Sequence, residues 1–246
     1  MTDNERLADL IYPDVTDTID NLYDQYPARQ LDQMARVTCF GPSPTGPLHV
    51  GLIFHALINK LLAHQSNGIY IVRIEDTDVD LLVKDSEKDI VKTLAYIGML
   101  PDEGPIQHDP SIVEKGVYGP YIQTERKRIY KIIAKHLISI GKAYPCFMTE
   151  VELEKIREEQ AAAGDDFGIY GKWARIRRLS IQQIAEYLGN GKPFVIRHKA
   201  RYPELRRIVI NDLVRGSVAL PAHDKDTILM KSNGLPTYHL AHPVDD

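Results

Sequence analysis

Two short stretches hold most of the side chains in this sequence that could do chemistry. Residues 40–51 read FGPSPTGPLHVG, and residues 69–78 read IYIVRIEDTD. In the first, a Gly/Pro-rich turn delivers His49 to the start of an apolar-periodic segment. A helix beginning there offers free N–H groups and positive potential, which suit a phosphate. Gly46 and Gly51 allow a ligand or a neighbouring strand to come close, and His49 can donate to a phosphate oxygen. A lone histidine in such a place is as readily a structural residue; the whole stretch Pro42–Gly51 is harder to explain that way. The spacing is not GxGxxG and has no Walker A lysine, which excludes the dinucleotide-binding and P-loop NTPase readings. In the second stretch Glu75, Asp76 and Asp78 cluster where a strand ends. Carboxylates there can pair with an ammonium, bind Mg2+ or hold a ribose hydroxyl. An acidic turn with a helix-capping Asp would carry the same letters.

The elements that position these residues follow from periodicity. RVTCF (residues 36–40) is a short apolar run bounded by turn residues and predicts a buried strand. Apolar positions 50, 53, 54, 57, 58, 61 and 62 keep helical spacing, Asn67-Gly68 stops the helix, and Ile69–Ile74 is β-rich. Strand, helix and strand in so short a span predict a right-handed, parallel βαβ unit, hence an α/β fold with ligands at the strand carboxyl ends. Before it, residues 4–26 predict one or two short helices, broken at Pro13. After it, the pattern predicts a helix capped by Ser86 and ended by Gly98, a linker over residues 101–120, and a helix from Thr124 to Ile140 stopped by Gly141. Capping boxes at Thr149 and Ser180 open two more helices, the second stopped by Gly189. Strands are expected in FVIRHK and RIVINDLVRGSVAL, and a hairpin around Asn233-Gly234.

The bulk numbers set the class. At 246 residues, 43% hydrophobic and 26% charged, the chain can form one large domain or two small ones. No run is apolar enough to span a membrane, and the polar, acidic N-terminus is not a secretory signal. Two cysteines, Cys39 and Cys146, are too few for a disulfide framework and fit a reducing compartment, so a cytoplasmic location without a membrane partner is expected. The net charge of −4 conceals a division. Residues 1–119 carry 9 Lys+Arg against 19 Asp+Glu, and residues 120–210 carry 18 against 10. A basic middle suggests contact with a polyanion; solvated Lys and Arg on helix faces would give the same count. The chain stops at VDD within an apolar-rich passage, which reads as a domain cut rather than finished.

Taken together, the two stretches resemble the first signature region of class I aminoacyl-tRNA synthetases of the glutamyl type. His49-Val50-Gly51 matches the first three positions of the HIGH motif, with Leu52 in place of the second His. Pro42-Ser43-Pro44-Thr45-Gly46 and Arg73-Ile74-Glu75-Asp76-Thr77-Asp78 are similar to glutamyl rather than glutaminyl enzymes. The resemblance continues through Asp102-Glu103-Gly104-Pro105, Gly119-Pro120-Tyr121 with Gln123-Thr124-Glu125-Arg126, and Gly234–Ala241 to Asp245-Asp246, so it covers residues 36–246.

That resemblance implies a Rossmann-like catalytic domain with a parallel sheet, interrupted by an α+β insertion for the tRNA acceptor stem and truncated at its C-terminus. The implied division is an N-terminal helical extension (1–34), the first part of the nucleotide-binding fold (35–109), the insertion (110–224) and the start of the second part (225–246). It implies that ATP and Mg2+ activate L-glutamate as glutamyl-adenylate, which is then transferred to tRNA. His49 and Gly51 would be catalytic and, with Pro42, Thr45 and Gly46, would bind ATP. Gly41, Ser43, Glu75, Tyr238 and His242 would bind the amino acid, Glu75 through its ammonium. Arg175, Arg177, Arg178, Arg201, Arg206 and Arg207 are candidates for tRNA phosphates. Three departures stand out. Cys39 occupies the place of an Arg that faces the substrate's side-chain carboxylate, with Arg36 three residues before it. Cys146 is the only thiol in the insertion, so no metal ligand set and no zinc are expected. The KMSKS-like loop is absent, so the chain alone is expected to be poorly active or inactive. Two alternatives stay open: a synthetase paralogue that glutamylates a tRNA-Asp base, and a degenerate synthetase-like module that binds tRNA without catalysis.

Overall fold

The protein is described from a computed structural model covering residues 1–108, 111–200, 207–221 and 225–246. Two short helices open the chain, α1 (Asp3–Ile11) and α2 (Ile19–Gln25). Each begins with a capping box, Thr2 with Glu5 and Thr18 with Asn21, which satisfies donors that a helix start leaves open. Then come β1 (Val37–Phe40), α3 (Val50–Gln65) and β2 (Ile69–Val72). β1 and β2 are parallel, in register from Val37 with Ile69 to Phe40 with Val72. Single parallel bridges, Ile71 to Glu103 and Ile74 to Ile122, carry the same direction onward. The return from α3 depends on Gly68: a Cβ there would run into the Arg36 backbone, 2.7 Å from its carbonyl carbon. Asn67 takes the left-handed turn before it, at φ 53°, a conformation asparagine tolerates.

The chain continues with α4 (Ser86–Tyr96), β3 (Gly104–His108) and β4 (Ser111–Lys115). The expected linker over residues 101–120 is thus an antiparallel hairpin, Gly104 opposite Lys115 through His108 opposite Ser111. Pro105 and Gly104 hid it, because such residues rarely mark a strand, although an edge hairpin accommodates them. Ser86 does not cap α4: Asp85 precedes the helix without a capping bond, and Ser86 Oγ donates to Gly46 O at 2.9 Å. Residues Gln123–Arg126 form a 3-10 turn leading into α5 (Lys127–Ser139), which is followed by β5 (Ala143–Cys146) and α6 (Glu150–Ala163). The remainder is α7 (Ile181–Gly189), β6 (Val195–His198), β7 (Arg207–Asp212), β8 (Gly216–Pro221), β9 (Ile228–Met230) and α8 (Tyr238–Asp245). Both predicted capping boxes, at Thr149 and Ser180, are present. Gly189 is the last residue of α7 rather than its stop; Gly191, at φ 65°, makes the turn.

The predicted C-terminal hairpin is not formed. β9 pairs with β6, and the chain after Asn233-Gly234 enters α8. The Asn-Gly turn itself exists, with Gly234 at φ 78° and its N–H on Lys231 O at 3.0 Å. Leu240 and Ala241 are adjacent and both buried, which one helix face allows and the two faces of a strand do not.

The chain divides into two compact units. One comprises Asp17–Ile132 and Leu235–Asp246, the other Met1–Thr16 and Ile133–Gly234. In the first, Phe40, Ala56, Ala63, Tyr70, Val72, Ile74, Ile90 and Leu94 make the core around the β1–α3–β2 unit. Full burial of a Phe, Val or Leu side chain contributes about 1.5–3 kcal/mol each, enough to fix where the strand ends lie. The second unit holds an antiparallel sheet in the order β5-β6-β9, the β7-β8 hairpin, and α6 and α7. Among the described residues no helix is long and apolar enough to cross a membrane.

Candidate active site

The site is built in the first unit, at the carboxyl ends of β1 and β2. The turn after β1 is lashed to its surroundings through its carbonyls. Pro42 O accepts from Glu75 N (3.0 Å), Pro44 O from Val83 N (3.0 Å), and Gly46 O from Ser86 Oγ. Prolines suit this role because they fix the backbone and offer only acceptors. Ser43 and Thr45 are left exposed on the turn.

His49 is the N-cap of α3. Its Nδ1 accepts from Gly51 N–H at 3.2 Å. The imidazole proton is then on Nε2, where it can donate outward from an exposed ring. Gly51 leaves room for this fold-back: a Cβ there would stand 3.1 Å from the ring. Histidine is an uncommon cap, so one side chain both starts the helix and aims a donor at its positive end.

Glu75 stands over Gly41. A Cβ at Gly41 would land on the Glu75 carboxylate, 2.8 Å from its Cδ, so the glycine clears the place the acid occupies. Behind Glu75 lies a buried charge cluster that the sequence did not announce. Arg73 Nη2 donates to Glu75 Oε1 (3.1 Å) and Asp246 Oδ1 (2.9 Å), and Nη1 donates to Asp245 O (3.1 Å). Burial opposes the charge on Arg73, but Asp245, Asp246 and Glu75 outweigh it and hold the guanidinium above its ordinary range. The Asp245 side chain is fully buried and accepts from Arg126 Nε (2.8 Å), Gln123 Nε2 (2.9 Å) and Tyr130 OH (2.7 Å). A buried carboxylate persists only when paired in this way. Cys39 lies close enough to feel the same charges. Burial pushes its thiol up to about 11, with Arg73 pulling the other way, so it is neutral at physiological pH.

The amino-acid candidates from α8 reach this cluster through Asp246. His242 Nε2 is 3.0 Å from Asp246 Oδ2, and the His242 ring stacks on Tyr238 with centroids 4.7 Å apart. Asp76, by contrast, is engaged as a cap on the 3-10 turn. It accepts from Thr124 N (2.8 Å) and Thr124 Oγ1 (2.5 Å). The acidic run after β2 thus divides: Glu75 faces the turn, and Asp76 holds structure.

Of the arginines named for tRNA, Arg175, Arg178 and Arg207 are exposed in the second unit. Arg177 is committed to the fully buried Asp226, with Nε on Oδ2 at 2.7 Å, and to Ala200 O. Arg201 and Arg206 lie outside the described residues. Sequence reasoning gave no role to Arg73, Arg126, Gln123, Tyr130 or Asp245. The available signal was an arginine at the end of an apolar strand, which must find acids if the strand is buried.

A parallel strand pair with a helix N-terminus and a guarded carboxylate at its carboxyl ends defines an α/β domain with its candidate site at the strand ends. The family model for tRNA synthetases class I (E and Q), catalytic domain, matches residues 36–246, and the chain belongs to that family. It is 42% identical to a glutamate–tRNA ligase of Acetivibrio thermocellus over 99% of its own length and 44% of that protein. With a glutamate–tRNA ligase of Sorangium cellulosum the identity is 45% over 90% of the chain and 40% of the relative. The crystal structure of a glutamate tRNA ligase from Elizabethkingia meningosepticum in complex with its amino acid superposes with a TM-score of 0.73 at 39% identity, covering 87% of this chain and 42% of that one. The chain therefore spans less than half the length of the relatives it matches.

Proposed function

We propose that the protein is the amino-acid-activating part of a glutamate–tRNA ligase. The observation that carries this reading is the Glu75 carboxylate, standing over the bare Cα of Gly41 and backed by Arg73. It offers an ammonium a fixed negative partner beside a helix start suited to phosphate. L-glutamate would lie along Gly41 and Ser43 with its ammonium on Glu75, and Tyr238 and His242 would line its side chain. The phosphates of ATP would meet Pro42, Thr45, Gly46, Gly51 and the Nε2–H of His49. An oxygen of the glutamate α-carboxylate then attacks the α-phosphorus, the bond to the bridging oxygen breaks, and pyrophosphate leaves with that electron pair. A tRNA 3′-terminal hydroxyl next attacks the acyl carbon and AMP departs. The protein's part is positioning and charge stabilisation.

Among the described residues no group of three His, Cys, Asp or Glu is arranged to hold a metal. Mg2+ would arrive on the ATP phosphates, its usual mode. Arg175, Arg178 and Arg207 supply cations for tRNA phosphates, with Arg177 serving Asp226. The reading is tested by calorimetric titration of the chain with L-glutamate. Binding that weakens tenfold or more in Glu75→Gln is expected, since a charge-assisted pair is lost, on the order of 2 kcal/mol. Equal binding by wild type and Glu75→Gln would overturn the role of Glu75, and tRNA-dependent ATP–pyrophosphate exchange with an amino acid other than glutamate would overturn the substrate.

A further inference from the structure

The segment that joins α2 to β1 precedes the residues matched by the family model, yet its side chains reach toward the strand end that carries Glu75. Arg73 and Glu75, two positions apart, lie on one face of the chain leaving β2 and are paired there. Between them Ile74 is fixed by a neighbouring stretch. Its N–H donates to Tyr121 O (2.8 Å), and its carbonyl accepts from Gln123 N–H (3.0 Å). Where residues 121–123 sit therefore sets the position of Ile74, and with it the direction of the Glu75 carboxylate.

That stretch is held in turn from the N-terminal side. Tyr121 is buried, and its OH donates to Glu103 Oε2 at 2.7 Å. The same carboxylate is gripped by both terminal nitrogens of Arg29, in a pair whose side chains are largely buried. A two-pronged guanidinium–carboxylate pair fixes orientation as well as distance. Three residues earlier, Tyr26 OH donates to Gly119 O at 2.9 Å. The next carbonyl, Pro120 O, accepts from Arg126 Nη1 (2.7 Å). Arg126 Nε donates to Asp245 Oδ1, and the backbone oxygen of Asp245 receives Arg73. Two lines of contact thus run from residues 26–29, one to Ile74 and one to Arg73, and every member belongs to the same compact unit. The turn before α3 keeps separate anchors at Val83 and Ser86.

We propose that Tyr26 and Arg29 are positioning residues for amino-acid recognition, bracing the stretch beside Ile74 so that the Glu75 carboxylate is held over Gly41. This rests on the role proposed for Glu75 above. A strap that served stability alone would leave the affinity of the folded chain unchanged. A brace sets that affinity without touching the amino acid.

Calorimetric titration with L-glutamate and, separately, with ATP, well below the melting temperature of each form, tests this. Tyr26→Phe, which loses one hydroxyl, and Arg29→Gln are each expected to raise the glutamate dissociation constant about threefold or more and to leave that of ATP unchanged. In a Glu75→Gln background the same changes should have no further effect on glutamate, because no carboxylate is left to aim. Glutamate binding equal to wild type in folded Tyr26→Phe and Arg29→Gln overturns the proposal. So does a weakening shared equally by ATP, or one of full size in the Glu75→Gln background. Glutamate binding that Glu75→Gln itself does not alter, or that the unaltered chain lacks, overturns the amino-acid site and the proposal with it.

Discussion

Gly41 shows how one missing side chain can matter more than many present ones. Its Cα faces the Glu75 carboxylate so closely that a methyl group cannot be added without moving the acid. Gly41→Ala is therefore expected to weaken glutamate binding about tenfold or more, because the ammonium partner is displaced and a charge-assisted bond is worth on the order of 2 kcal/mol. The fold should survive, since the clash is with a side chain rather than with backbone. Calorimetry beside a thermal melt separates the two effects: lost binding with an unchanged melting temperature supports the displacement, and a collapsed melting temperature refutes it. His49 has a similar economy, since the nitrogen that caps α3 fixes the tautomer that points outward.

Among the elements, the segment between α2 and β1 is held down by a small cluster that the sequence pattern did not reveal. Arg29 makes a two-pronged pair with Glu103, Nη1 to Oε1 at 2.6 Å and Nη2 to Oε2 at 2.7 Å, and its guanidinium lies 3.8 Å from the centroid of the Tyr118 ring. Tyr121 OH adds a third bond to Glu103, and Tyr118 OH reaches back to Pro27 O. The bond from Arg29 is the main reason that the Glu103 carboxyl titrates below its usual range. A carboxylate with a lowered folded pKa contributes stability above its unfolded value, and that stability is lost as pH falls through the folded one. Arg29→Gln should thus cost about 2 kcal/mol at neutral pH; the cost should begin to shrink below about pH 4, near the unfolded glutamate value, and vanish only at a more acid pH, below the lowered folded one. Urea unfolding of both forms at neutral pH and at the acid one measures it; an equal gap at both would show that Glu103 is not the partner that matters.

Local signals were the legible ones. The helical spacing of α3 and the boxes at Thr149 and Ser180 involve residues within one or two turns of each other, and those elements formed, although α3 buries Ala56 and Ala63 and leaves Val50, Phe54, Ile58, Leu61 and Leu62 exposed. The β3-β4 hairpin was missed because Gly104 and Pro105 open it, and α8 because the preceding Asn233-Gly234 suggested a hairpin, while distant packing decides both conformations. The same division runs through the site. Glu75 and the turn before His49 could be read from neighbouring residues, whereas Arg73 and Asp245 are joined across 172 positions and leave no periodic trace.

At the level of the whole molecule, the charge division seen in the sequence becomes a statement about the second unit. Its exposed Arg175, Arg178 and Arg207 are free of the commitment that holds Arg177 to Asp226. Phosphate contacts release counterions, so affinity for tRNA falls with salt in proportion to their number. Changing any one of these three to Gln should lower the slope of log K against log salt by about 1 and weaken binding to all tRNAs alike. Filter binding over a salt series measures this, and an unchanged slope in all three variants would mean that the basic stretch is only solvated surface.

The buried Asp245 carboxylate has a further consequence, in time rather than in space. Its partners come from residues 73, 123, 126 and 130, so it cannot be enclosed until stretches of chain far apart in sequence have met. Closing such loops costs entropy before any contact offsets it. The turn before α3 is held by partners nearer in sequence, at residues 75, 83 and 86, and so closes shorter loops. If the roles proposed above hold, a folding chain would form its nucleotide-facing turn before it acquires a place for the amino acid. Loss of stability anywhere in this unit is therefore expected to erode recognition of the amino acid before recognition of the nucleotide.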